Sequence, residues 1–137
     1  MLQVPRKGTR RVLTYGRFDD WCLDHVRFLQ HLSTLGDAVI VGCTTDAYAA
    51  RQGRPCVTSY AERRALLERC RYVDQVIPET DPEQKRTDIV NYDASLLVMG
   101  IEEAGTLAHM QDIAQVLFLP RRKNSDIPTP SARLLAI

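Results

Sequence analysis

The stretch YGRFDDWCLDH, residues Tyr15 to His25, sets a thiol, a carboxylate and an imidazole within four positions, Cys22 to His25. An apolar run leads into Gly16 and helical spacing begins near Cys22, so a strand ends, the chain turns and a helix opens with His25 in its first turns. That layout suits a phosphate group, because the unpaired N–H groups and dipole of a helix start attract anions. Cys22 admits three roles: an inert buried thiol, a pocket wall, or a nucleophile activated by the helix start and by His25. The sequence supplies neither an acceptor nor a third member for that last role. As metal ligands, Cys22 and His25 are two groups without a distant partner motif, and no metal site is assigned. Asp19 suits ordering the turn through backbone amides. Arg17 either reaches phosphate or points to solvent. His31 and His109 have no neighbours that recommend them.

Positioning such groups takes a scaffold, and the chain is long enough for one. Its 137 residues, 45% hydrophobic and 26% charged, suit a single domain with a real core. A net charge of +1 recommends neither nucleic acid nor membrane as a partner. Only Lys7, Lys85 and Lys123 are lysines, so arginine supplies nearly all the positive charge; high-GC coding produces the same bias. MLQVPRKGTRR is basic and polar with no apolar run behind it, and a cytoplasmic protein is expected. Cys22, Cys43, Cys56 and Cys70 form no CxxC pair and are expected as free thiols.

Apolar runs alternate with amphipathic stretches, the pattern of an α/β fold: a doubly wound, five-stranded parallel sheet with helices on both faces. RVLTY is the first strand, and a helix runs from about Cys22 to Leu35, closed by Gly36. DAVIVGCTT is the second strand. Ser59 and Glu62 form a capping box that opens a helix to about Arg69. VDQVIP is a third strand ended by Pro78, after which Asp81 caps a helix with Pro82 at its first position. SLLVMG and QVLFLP are the fourth and fifth strands, with a short helix expected over 101–111 and a polar tail from Arg121. Residues 1–10 are expected as an arm and 11–137 as the domain. Ligands of such sheets sit beyond the carboxyl ends of the strands, where strand order reverses. If strands one and four flank that point, YGRFD and MGIEE face one crevice, and PRRKNSDIPTP can close over it.

TYGRFDDWCLDHVRFL resembles the nucleotidyltransferase superfamily of the HxGH type, most nearly the glycerol-3-phosphate cytidylyltransferases. The likeness continues through LGDAVIVGCTTD, SYAERR, RYVDQVIPE, EQKRTDI, LLVMG and FLPR, over nearly the whole chain from about Arg11. The resemblance implies a Rossmann-like homodimer that binds a nucleoside triphosphate and Mg2+, passes a nucleotidyl group to a small phosphorylated acceptor and releases pyrophosphate. It places Tyr15, Gly16, Arg17, Phe18, Asp19, Cys22, Asp24, Gly100, Ile101, Glu102 and Thr129 around the nucleotide, and His25, Arg54 and Arg121 at the transferred phosphate. Arg63, Arg64, Arg69 and Arg71 are expected on a charged solvent face, some of them near the implied dimer contact.

The HxGH positions read Cys22, Leu23, Asp24 and His25, so only the second histidine is kept. A thiol is a weak donor. Asp24 replaces a glycine with bulk and a negative charge, and two unit charges ~4 Å apart repel by ~4 kcal/mol at an effective dielectric near 20. That exceeds the ~0.3–2 kcal/mol of a helix terminus, unless a bound Mg2+ bridges Asp24 to the phosphates. Glu102 and Glu103 come one residue late behind Ile101, Arg54 stands close to a family lysine, and Pro128 and Pro130 flank Thr129. Two readings stand: a cytidylyltransferase-like enzyme of feeble activity, using CTP or another triphosphate, and a non-catalytic nucleotide- or anion-binding or dimeric scaffold protein.

Overall fold

A computed structural model of the chain describes residues 10–100 and 114–119. Of the arm expected over 1–10 all but Arg10 lies outside them, as do the helix expected over 101–111 and the tail from Arg121. In chain order the elements are β1 Arg11–Gly16, α1 Leu23–Ser33, β2 Ala38–Thr44, α2 Asp46–Arg51, α3 Tyr60–Arg69, β3 Gln75–Glu79, α4 Gln84–Asn91, β4 Leu96–Gly100 and β5 Gln115–Leu119. The strands form one parallel sheet in the order β3-β2-β1-β4-β5. The order reverses at β1, which lies between β2 and β4, so the switch point falls between the first and fourth strands as expected.

Val12 to Tyr15 are all buried, because helices cover both faces of this central strand. Alternation sends Val12 toward Phe28, Leu29 and Leu32 of α1 and Leu67 of α3. It sends Leu13 and Tyr15 to the opposite face, with Ile89 of α4. Leu29 and Leu32 are fully buried, each burial contributing roughly 1.5–3 kcal/mol. Tyr15 pairs in register with Gly42, and a Cβ at that position would run into the Tyr15 ring. The glycine in β2 thus makes room for a large aromatic beside the switch point.

Several local expectations shift. Helix α1 ends at Ser33 with Thr34 as its cap. Gly36 does not close it in a left-handed conformation; it is small because a Cβ there would lie 2.7 Å from the Arg10 carbonyl oxygen. Pro78 does not end β3 but lies inside it. On this edge strand the Pro78 carbonyl faces away from β2 and accepts from Gln84 Nε2 at 2.9 Å. Its missing N–H therefore costs no ladder bond. Helix α4 begins at Gln84, two residues beyond Pro82, while Asp81 still orders the turn by accepting from Glu83 N at 2.7 Å. Helix α2 was not foreseen, since six residues are too few to display a helical period. Among the described residues no helix is long and apolar enough to cross a membrane.

Candidate active site at the switch point

A cavity of about 520 Å³ opens where β1, β2 and β3 end. Of the residues singled out in the sequence, it brings together Tyr15, Gly16, Arg17, Phe18, Asp19, His25 and Arg54. Cys22 and Asp24 are not among its described lining residues, and neither is Gly100, which ends β4 beside the lining Met99. Ile101, Glu102, Arg121 and Thr129 fall outside the described residues.

The loop after β1 is held in a costly shape. Phe18 and Asp20 have φ values of 51° and 55°, in a left-handed region that bulky side chains rarely adopt. Three sets of bonds fix it. Asp19 accepts from the backbone N–H groups of Val57 and Thr58, both at 2.9 Å. Arg17 donates from Nη2 to Gln52 Oε1 at 2.9 Å and from Nε to the Arg54 carbonyl at 3.3 Å. Arg63 donates from Nη1 to the Arg17 carbonyl at 2.9 Å.

Arg63 overturns the expectation of a solvent face, because its side chain is 0% exposed. Nε bonds the Thr58 carbonyl at 2.8 Å, Nη1 the Thr44 carbonyl at 2.7 Å and Nη2 the Asp46 carboxylate at 2.8 Å. One guanidinium thus ties together the β1 loop, the end of β2 and the segment leading into α3. Arg64 also leaves the solvent face in part, bonding Glu68, the Tyr60 hydroxyl and the Val76 carbonyl. At its cap, Ser59 accepts from Glu62 N at 3.2 Å as expected.

Burial pushes the Asp19 carboxyl up, but the N–H groups of Val57, Thr58 and Asp20 outweigh it and hold the group below its ordinary range. Its contribution to stability is therefore complete above the unfolded aspartate pKa near 3.8 and is lost as pH falls through the lower folded value. The Tm gap between wild type and Asp19→Asn is expected to narrow steadily as thermal unfolding is followed from pH 5 toward pH 3. A constant gap would mean that the charge of Asp19 contributes nothing.

His25 is 7% exposed at the third position of α1. Its Nδ1 accepts from the Cys22 backbone N–H at 3.3 Å, half of a capping box with imidazole in the usual place of glutamate. That bond sets the neutral tautomer carrying its proton on Nε2. Phe18 meets the ring edge-on at 5.4 Å and Trp21 lies at 5.6 Å. The Cys22 sulfur is 3.9 Å from the same Nδ1. With Nδ1 already accepting a backbone proton, the imidazole is poorly placed to activate the thiol as a nucleophile.

The cavity wall also holds groups the sequence reading missed. Glu79 accepts from Thr44 Oγ1 at 2.7 Å and pairs with Lys85 Nζ at 3.2 Å, both members of the pair being under 10% exposed. Lys85 also lies over the Tyr15 ring, 4.8 Å from its centre. Tyr15 donates to Asp88 at 2.6 Å, and burial together with that carboxylate pushes its phenol far up, so the ring is a neutral wall. One signal could have found them: Lys85 is one of three lysines in an arginine-rich chain. Among the described residues, no group of three or more His, Cys, Asp and Glu could hold a metal ion.

Residues 13–118 match the cytidylyltransferase-like family. A glycerol-3-phosphate cytidylyltransferase of Bacillus subtilis (strain 168) is 37% identical over 112 residues, covering 82% of this chain and 87% of its own. One from Staphylococcus aureus (strain NCTC 8325 / PS 47) is 34% identical over 112 residues, covering 82% and 85%. The crystal structure of a lipopolysaccharide core biosynthesis protein from Thermoplasma volcanium GSS1 superposes with a TM-score of 0.70, covering 86% of this chain and 100% of that one. At 22% identity it shows the shared fold.

Proposed function

The chain belongs to the cytidylyltransferase-like family, and from that premise we propose that it transfers a nucleotidyl group from CTP, or another triphosphate, to a small phosphorylated alcohol. The observation that carries this reading is the cavity at the switch point, whose lining holds His25, Arg17, Arg54 and the buried Lys85–Glu79 pair together. An oxygen of the acceptor phosphate attacks the α-phosphorus in line, and pyrophosphate leaves from the opposite side. The chain's part is positioning and charge stabilisation. His25 donates from Nε2 to the phosphoryl oxygens, and Arg54 neutralises charge beside it. By resemblance Arg121 joins them, with Gly100, Ile101, Glu102 and Thr129 around the nucleotide. Lys85 suits the acceptor's phosphate, and Thr44 and Glu79 suit its hydroxyls. Mg2+ would arrive with the triphosphate, and a single carboxylate beside phosphate oxygens is a sufficient protein share. Asp24, in the first turn of α1, is the candidate for it.

Cys22 and Asp24 favour a slow enzyme, and they also give weight to a second reading, a non-catalytic nucleotide- or anion-binding or dimeric scaffold protein. Thermal-shift measurements against CTP, ATP, UTP and GTP, each with and without Mg2+, test binding. Pyrophosphate release with a panel of phosphorylated alcohols then tests turnover. The enzymatic reading expects CTP to stabilise most and at least one acceptor to release pyrophosphate above the acceptor-free rate. Binding without turnover across the panel selects the second reading, and a protein that no nucleotide stabilises contradicts both nucleotide readings.

A further inference from the structure

Arg17 and Arg54 line the cavity side by side, joined through the bond from Arg17 Nε to the Arg54 carbonyl. Arg17 is held only by neutral acceptors, an amide and a carbonyl, and Arg54 makes no ion pair among the described residues. The carboxylates lining the same cavity are engaged elsewhere, Asp19 with two amides and Glu79 with Thr44 and Lys85. Two guanidiniums therefore line one cavity, neither of them ion-paired with a carboxylate of its described wall. Arg17 keeps Nη1 beyond its two anchoring bonds. A fixed planar fork of this kind matches phosphoryl oxygens. Meanwhile the residue that begins α1 has its thiol turned onto His25, 3.9 Å from Nδ1, and offers little to an anion.

We propose that Arg17 is a phosphate ligand in this chain, closing with Arg54 as a two-arginine clamp on the polyphosphate and standing in for the donor that Cys22 does not supply. The clamp rests on the proposed nucleotide site but differs from it in placing the anion grip on the β1 loop and the 52–54 segment rather than on the start of α1. Gln52 is the positioning residue: its Oε1 accepts from Nη2 and aims the guanidinium.

Calorimetric titration with inorganic pyrophosphate, and separately with CTP, tests this on wild type and on Arg17→Thr, Arg17→Lys and Gln52→Ala, with Tm recorded for each. Arg17→Thr is expected to weaken pyrophosphate binding about 10–100-fold, the range for one lost charge-assisted contact. Arg17→Lys should fall between that variant and wild type, since it keeps the charge and loses the fork. Gln52→Ala removes one of the two bonds that anchor Arg17 and leaves the cation, and it should retain most of the affinity. A Gln52→Ala protein that loses as much affinity as Arg17→Thr would mean that the contact between loops, and not the cation, carries binding, and that result overturns the clamp. So does wild-type affinity in Arg17→Thr, even where CTP binds and the proposed function stands. Wild type that binds pyrophosphate through Arg17 but no nucleotide upholds the clamp and sinks the nucleotide reading. Wild type that binds neither removes both.

Discussion

With Cys22 replaced by histidine and Asp24 by glycine together, kcat/KM for pyrophosphate release from CTP is expected to rise by about 10²–10³-fold, the range for one oriented donor at a reacting phosphate. Two changes act in the same direction. Histidine would place a strong donor at the start of α1. Glycine removes a carboxylate whose repulsion with one phosphate charge is ~4 kcal/mol at ~4 Å and an effective dielectric near 20. The rest of the turn is ready for the exchange, because it is the backbone N–H of residue 22, present in either side chain's company, that sets the His25 tautomer. The single variants separate the contributions. Asp24→Gly alone should tighten CTP binding in the absence of metal. If Asp24 instead holds Mg2+ against the phosphates, the same variant weakens Mg2+-dependent binding and the sign of its effect reverses. A correctly folded double variant with unchanged affinity and rate would show that the start of α1 is not where this chain departs from its relatives.

Truncating Arg63 to alanine should produce the largest loss of stability of any substitution outside the apolar core, about 3–5 kcal/mol, because one fully buried guanidinium donates to three carbonyls and a carboxylate and all four bonds go at once. For a domain of this size that is a fall in Tm of very roughly 10–20 °C. The carbonyls of Arg17, Thr44 and Thr58 all lose their shared donor, and groups left buried without partners carry the full cost of desolvation. The exposed end of the pair, Asp46, keeps a bond from Tyr60 N and recovers water, so the damage falls on the loops rather than on the carboxylate. Arg63→Lys keeps the charge but can reach fewer of these acceptors, and it should lie between the two. Urea or thermal unfolding measures the loss. The same variants should weaken nucleotide binding, because the left-handed Phe18 and the braced Arg17 are part of what Arg63 holds. A stable Arg63→Ala protein with native ligand affinity would mean that the loops carry their own order.

The five strands and most of the helices were legible because they rest on periodicity and punctuation, which one sequence displays. The unbroken apolar run from Val12 to Tyr15 and the Ser59 cap each carry their physics in adjacent residues. Pro78 and Gly36 misled for a shared reason: their usual meanings, strand end and helix end, are local. The edge position of β3 and the approach of the Arg10 backbone are tertiary facts. Arg63 misled more deeply. In sequence it is one of two adjacent arginines on a helix with little apolar bias, and nothing there distinguishes the buried residue from its partly exposed neighbour.

By itself, then, the sequence determined the parallel sheet and the loop that follows its first strand, since these depend on residue type and spacing along the chain. Only the tertiary structure decided which charges share a cavity. It paired Lys85 with Glu79, consumed Asp19 on the Val57 and Thr58 amides, sealed Arg63 beneath the loops and left Arg17 beside Arg54. Those outcomes turn on contacts between residues tens of positions apart, where the partner available to a charged group decides whether it braces the fold or faces the ligand.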